Sequence, residues 1–311
     1  NIALIGAGSF AKNIHLPNIQ KRKDKFNLYA VMNKSGYSGK AFAENYNANY
    51  VTTNYEEILN DANVDLVLIC TRHDSHAELA FQALQHGKNV FVEKPLATNK
   101  LELENIVSFY GGAQKNKPAL FVGYNRRFSQ YINEIRKHTN KRINPMLINY
   151  RMNAGYIPLD HWTHESGGRI VGEFCHIIDL MTSLTNSKIV SISYENLTPQ
   201  NKKFTKKDNI ACILKYADGS IANLLYLAVG SKDLGKEYME IHFDEKSIIL
   251  NDYKSLKGYG IKINELTTAK SEKGHLEELD AVYKYLTDKS SELPIPLWDL
   301  FQTTKATLDL K

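Results

Sequence analysis

The apolar run Val90-Phe91-Val92 ends abruptly on Glu93, Lys94 and Pro95. A strand that stops on an acid and a base presents both at its carboxyl edge, where parallel sheets bind ligands. A cationic lysine there can hydrogen-bond a reacting oxygen, stabilise a developing alkoxide and tune a neighbouring base. Pro95 fixes the turn, and Lys94–Pro95 is a candidate cis bond. The plain alternative is a solvated ion pair at a strand end. A second set of residues with chemical spacing lies in "GEFCHIIDL", where Glu173, His176 and Asp179 fall at i, i+3 and i+6, near one face of a helix. Histidine is the natural general base near neutral pH. Lys94 and His176 are therefore the candidate proton-transfer residues, with Glu173 and Asp179 beside them.

The elements that must position Lys94 alternate strand and helix through residue 122. "IALIG", "NLYAVM", "VDLVLIC", "NVFV" and "ALFVG" read as strands, with a short "YVT" between the second and third. The continuous apolar run in "VDLVLIC" suits a strand buried on both faces. Helices are expected over 9–21 with an interruption at Pro17, around 38–46, at "YEEIL", over 76–87 and over 99–110. Regular βα alternation predicts a doubly wound parallel Rossmann sheet. Directly after the first strand comes "GAGSFA", a G-x-G-x-x-A fingerprint opening the first helix. Gly6 permits the tight turn, Gly8 lets a pyrophosphate approach the backbone, and Ala11 is small enough for close packing; Ser9 and Phe10 complete the loop. The end of the second strand should meet the adenosine ribose. An acid there favours NAD, but this chain has Asn33, Lys34 and Ser35, which tilts the expectation towards NADP over NAD. Thr71, Arg72 and His76, after the "VDLVLIC" strand, are expected on the cofactor side, with Asp74 or Ser75 capping the next helix.

From about 146 the pattern becomes antiparallel. "MLINYRMN", "KIVSISYENL", "NIACILKYADGSIANLLYLAVG", "EYMEIHFDEKSIIL" and 261–266 alternate apolar and polar residues. Asp218-Gly219 is a two-residue hairpin signal. Helices near 171–184 and 275–288 complete an α+β domain with an open, mostly antiparallel sheet. The expected domains are 1–122 for dinucleotide binding and 123–311 for substrate binding and oligomerisation. An open sheet face calls for cover, which predicts a homo-oligomer, a dimer or tetramer, through that sheet.

Composition narrows the class. The chain has 311 residues, is 43% hydrophobic and carries a net charge of +5. Its lysines are scattered, with no block of like charge, so a nucleic-acid surface is not expected. No apolar run approaches the roughly 20 residues needed to span a bilayer. The three cysteines, Cys70, Cys175 and Cys212, form neither a disulfide framework nor zinc spacing, which suits a reducing compartment, the cytoplasm. Six of the eight arginines lie between Arg126 and Arg169, and arginine clusters favour carboxylates or phosphates, so an anionic substrate is one expectation and internal salt bridges the other. The polar loop "AGYIPLDHWTHESGGR" offers Tyr156, His161, Trp162 and Arg169 for sugar hydroxyl and ring contacts. His161-x-x-His164 has no metal-site frame, and no metal is expected.

Taken in order, "GAGSFA", "TRHDSHAELA", "GKNVFVEKPLA", "GYNRRF" and "GGRIVGEFCHIIDL" resemble the glucose–fructose oxidoreductase/inositol dehydrogenase (Gfo/Idh/MocA) family over essentially the whole chain. "NYRMNAGYIPLDHW" and "GRIVGEFCHIIDL" resemble a subgroup in which this module follows a zinc-type alcohol dehydrogenase module; a start at Asn1 suits such an excised piece. The resemblance implies that Lys94 is catalytic, that Glu93 lies near the nicotinamide side, that His176 is the catalytic histidine and that Asp179 positions it. It also implies that Asn125 and Arg126 face the substrate. One departure is local: many members have an acid four residues before the histidine, where this chain has Gly172, and Glu173 follows one place later. The implied activity is an NAD(P)-dependent oxidoreductase acting on a sugar or sugar-derivative hydroxyl or ketone, including a uronate or nucleotide-sugar. The same apparatus could serve an epimerase, lyase or glycosidase that oxidises transiently. A dinucleotide-sensing regulator without turnover is the reading from another class, and intact Lys94 and His176 argue against it.

Overall fold

In the computed structural model, which describes residues 1–34, 45–113, 116–165, 167–288 and 290–310, two compact units are built from one chain. The first comprises Asn1–Gly123 and His275–Phe301, the second Tyr124–Gly274 and Gln302–Lys311. A single cut after residue 122 therefore needs correction: the segment 275–301 belongs with the first unit. The reason is apolar. Leu279 and Val282, in the helix His275–Thr287, are buried in the first unit's core with Leu4, Leu28 and Phe121. Tyr283 packs edge-on against Phe26 and Tyr285 against Phe121. Arg22 pins the same helix through a two-pronged contact with Asp280 at 2.7 Å.

The first unit holds six parallel strands: β1 (Ile2–Ile5), β2 (Leu28–Met32), β3 (Tyr50–Thr52), β4 (Leu66–Ile69), β5 (Asn89–Val92) and β6 (Leu120–Val122). Their order is β3-β2-β1-β4-β5-β6. Every residue of β1 and β4 is buried, as expected for strands covered on both faces. The order reverses beside β1, and that switch point is where such sheets receive dinucleotides. The helix expected from Ser9 to Lys21 divides at Pro17. Residues Ala11–His15 form a π turn and Leu16–Lys21 an α-helix. Pro17 has no N–H to offer the carbonyl four residues back, so the preceding turn widens. Ser35 and most of the helix expected around 38–46 lie outside the described residues.

The second unit holds seven strands: β7 (Leu147–Asn153), β8 (Ile189–Asn196), β9 (Ile210–Tyr216), β10 (Ile221–Leu227), β11 (Glu237–Phe243), β12 (Lys246–Asn251) and β13 (Ser255–Tyr259). Their order is β13-β12-β11-β7-β10-β9-β8, antiparallel except for the parallel pair β7–β10. The helix Cys175–Thr185 lays Ile177, Ile178, Met181 and Leu184 on one sheet face, against a core that includes Ile148, Leu214, Leu224 and Ile241. The opposite face carries Val190, Ile213 and Leu225, each more than 40% exposed. The last strand sits earlier than the pattern at 261–266 predicts. Ile261 and Ile263 instead fold back over Gly258, where a Cβ would come within 2.6 Å of the Ile263 side chain. Among the described residues no helix is long and apolar enough to cross a membrane.

Candidate active site

The glycine loop has the backbone its sequence promises. Gly6 sits at φ +89°, and a Cβ there would lie 2.9 Å from the Thr71 methyl and 3.0 Å from the Cys70 carbonyl group. Only glycine fits without strain. At Gly8 an added Cβ would meet nothing within 4 Å, so the loop leaves open space beside its backbone. Ser9 and Phe10 are exposed beside it. These features fit a dinucleotide pyrophosphate held by backbone N–H groups. At the end of β2, the Asn33 N–H donates to the Thr52 carbonyl, and Lys34 is exposed.

Beyond β4, Thr71 and Arg72 are half-exposed and exposed, but His76 is not available as expected. It is 1% exposed, and its two ring nitrogens lie 2.9 and 3.1 Å from the backbone carbonyls of Pro95 and Thr71. His76 thus ties the turn after β4 to the turn after β5. Burial holds its pKa below the usual imidazole value. Its neighbour His73 is pushed down to about 3, first by burial and then by the charge of Lys94. Ser75 turns its hydroxyl back to Thr71 and caps nothing.

Lys94 follows β5, with a cis bond to Pro95. Beside it, Glu93 is 7% exposed and accepts a hydrogen bond from His15 Nε2 at 2.7 Å. Burial alone would raise the Glu93 pKa; the His15 bond, with the charges of Lys94 and His275, overcomes this and leaves it lowered. His15 was missed in the sequence, although a signal existed. It stands four residues after Ala11, on the helix face expected to pack against the sheet, and a buried imidazole must find a partner.

In the second unit, Ile170–Phe174 form another π turn, running into Cys175–Thr185. His176 is buried, with the Tyr124 ring edge-on at 6.1 Å. Glu173 accepts short hydrogen bonds from the Tyr226 hydroxyl and the Lys236 ammonium, and Arg169 approaches at 3.7 Å. Burial and the Glu173 charge push the Tyr226 hydroxyl well above its normal pKa. Neither Tyr226 nor Lys236 was singled out in the sequence, because each lies more than fifty residues from Glu173. Asp179, expected to position His176, is gripped by Arg127 from two directions.

Two residues expected to face substrate are committed elsewhere. Arg126 is 5% exposed and binds Glu237 bidentately, at 2.7 and 3.0 Å. Glu237 also accepts from Lys273 and from the Tyr150 hydroxyl. Burial would raise the Glu237 carboxyl, but Arg126 and Lys273 hold it far below the carboxylate range. Asn125 is buried and donates to the Lys273 carbonyl at 2.8 Å. In the loop after β7, Tyr156 stacks edge-on with Phe204 under the Lys203 ammonium, and His161 caps the turn at Thr163 with Trp162 tilted against it. Arg169 donates to the Gly155 carbonyl at 2.9 Å, while its buried Nε and Nη2 have no hydrogen-bond acceptor among the described residues. The arginine cluster is largely internal: Arg126, Arg127 and Arg142 pair with Glu237, Asp179 and Asp218. Among the described residues, no three His, Cys, Asp or Glu side chains group as metal ligands.

A parallel sheet in this order, with a glycine loop after its first strand, defines a dinucleotide-binding Rossmann unit; the second unit is an open-sheet α+β domain. Residues 1–140 match the model of the Gfo/Idh/MocA oxidoreductase family, described by its NAD-binding Rossmann fold. An uncharacterised oxidoreductase of Bacillus subtilis, YrbE, is 25% identical over 70% of this chain and 64% of its own length. Myo-inositol 2-dehydrogenase of Thermotoga maritima is 22% identical over 71% of this chain and 66% of its own. The chain thus spans just under two thirds of either relative. A levoglucosan dehydrogenase solved with NADH and levoglucosan has the same fold, with a TM-score of 0.81 over 100% of this chain and 95% of that one, at 19% identity.

Proposed function

We propose that this protein is an NAD(P)-dependent oxidoreductase that oxidises a sugar or cyclitol hydroxyl, or reduces the matching ketone. The observation that carries the reading is Lys94 on the turn after β5, beside an ionised Glu93, at the carboxyl edge of a sheet whose first strand ends in the glycine loop. A nicotinamide bound at that edge would supply hydride transfer. Lys94 would donate to the reacting oxygen and stabilise its negative charge. His176 would serve as the second proton-transfer residue. Glu173, paired with Lys236 and hydrogen-bonded by Tyr226, would fix the turn that leads into His176. Arg127 holds Asp179, three residues after His176 on the same helix.

The relatives named for myo-inositol and levoglucosan support an uncharged polyhydroxylated substrate. The internal pairing of Arg126, Arg127 and Arg142 takes half of the six clustered arginines out of the case for a uronate or nucleotide-sugar. A preference for NADP over NAD rests on Asn33, Lys34 and Ser35. The exposed apolar residues Val190, Ile213 and Leu225 support a homo-oligomer through the outer sheet face, which light scattering would test. For the activity, purified protein is assayed with both dinucleotides against neutral sugars and cyclitols. Turnover that survives in both Lys94→Ala and His176→Ala rejects the assignment.

A further inference from the structure

The π turn Ala11–His15 begins where the glycine loop ends, and its last residue reaches across to β5. His15 is 2% exposed, with its ring edge-on to Phe10 at 5.4 Å and to Phe91 at 5.5 Å. Its Nε2 meets Glu93, whereas its buried Nδ1 has no hydrogen-bond partner among the described residues. The ring donates from Nε2 to the carboxylate. The other side of Glu93 is equally restricted: a Cβ at Gly123 would stand 2.9 Å from both carboxylate oxygens. Glu93 therefore has one seat, shaped by Gly123 and held by His15.

We propose that His15 is a positioning residue that holds Glu93 in this seat and joins it to the dinucleotide loop, so that loop and β5 edge respond to cofactor together. The inference rests on the dinucleotide reading above. The charged and titratable groups facing Glu93 are His15, Lys94 beside it, Cys70 at the end of β4, His73 and His76 in the following turn, and His275 at the start of its helix. His15 comes from the loop element and gives Glu93 a direct hydrogen bond. Phe10, inside the loop, contacts both His15 and His275, so movement of the loop reaches this seat by packing as well.

The test uses the full chain labelled with [13C]glutamate, the Glu93 carboxyl signal being assigned by its loss in Glu93→Gln. His15→Ala is expected to move the Glu93 titration to higher pH. His15→Gln, whose amide nitrogen can replace Nε2, is expected to restore it, and it covers the case in which His15→Ala folds poorly. NADH and NADPH binding, read by fluorescence, should weaken about tenfold in His15→Ala and in Glu93→Gln, with no further loss in the double variant. An unmoved Glu93 titration, no restoration by glutamine, or fully additive losses of affinity would each overturn the proposal. If the wild type binds neither dinucleotide, the functional reading fails and the loop coupling fails with it, whereas the carboxyl titration still decides whether His15 holds Glu93.

Discussion

Arg127 and Asp179 form a buried pair across 52 residues of sequence: the guanidinium Nε donates to one carboxylate oxygen at 3.0 Å and Nη2 to the other. The residues are 4% and 1% exposed. The pair joins the turn Asn125–Phe128 to the helix that carries His176.

Removing one partner leaves the other charge buried. Asp179→Asn and Arg127→Met are each expected to cost about 3–5 kcal/mol, read by urea unfolding. Arg127→Lys should recover little, because an ammonium cannot span both oxygens. A loss below about 1 kcal/mol in Asp179→Asn would show that the pair matters little.

Lys94→Ala should leave the fold and dinucleotide affinity nearly intact and lower kcat by about 10²–10⁴. Steady-state kinetics with the best neutral sugar from the panel, alongside NADH binding, checks this. Lys94→Arg is expected to stay inactive, since the bulkier planar head cannot take the same position.

Asn33 follows β2, at the strand end where the fingerprint leads one to expect an acid that accepts from a ribose hydroxyl. Asn33→Asp should shift the ratio of kcat/KM for NAD over NADP upward by about tenfold or more, through a new acceptor and repulsion of the 2′-phosphate. An unchanged ratio would remove Asn33 from the specificity argument.

Glu237 titrates far below an ordinary glutamate, with burial opposed by Arg126 and Lys273. The unfolded carboxyl binds a proton first as the pH falls, so the stabilisation is complete above the unfolded pKa of about 4.3 and declines on further acidification towards the folded value. Wild-type Tm should fall steeply below about pH 4.3, and Glu237→Gln, already destabilised at pH 7, should show a flatter acid limb.

The glycine loop, the strand ending at Glu93-Lys94 and the change to antiparallel strands were readable because each depends on neighbours in sequence. The fate of the arginines was not. Nothing near Arg126 distinguishes a ligand carboxylate from Glu237, which lies 111 residues away. A partial signal did exist: Glu237 is in phase with Met239, Ile241 and Phe243, the buried side of β11. An acid in that phase must meet a cation inside the protein. The segment 275–301 was misplaced for a similar reason. Its amphipathic period shows that it packs, not against which sheet.

That segment also sets an order of events during synthesis. The Rossmann unit lacks part of its core until residue 301 has left the ribosome, so its first 123 residues wait while the whole second sheet is made. Phe26 and Phe121 lack their aromatic partners throughout that interval. A nascent chain stalled between residues 124 and 274 is thus expected to expose a sticky, incomplete nucleotide-binding unit and to draw chaperones to it. Grafting the unit into another protein would require two junctions, not one.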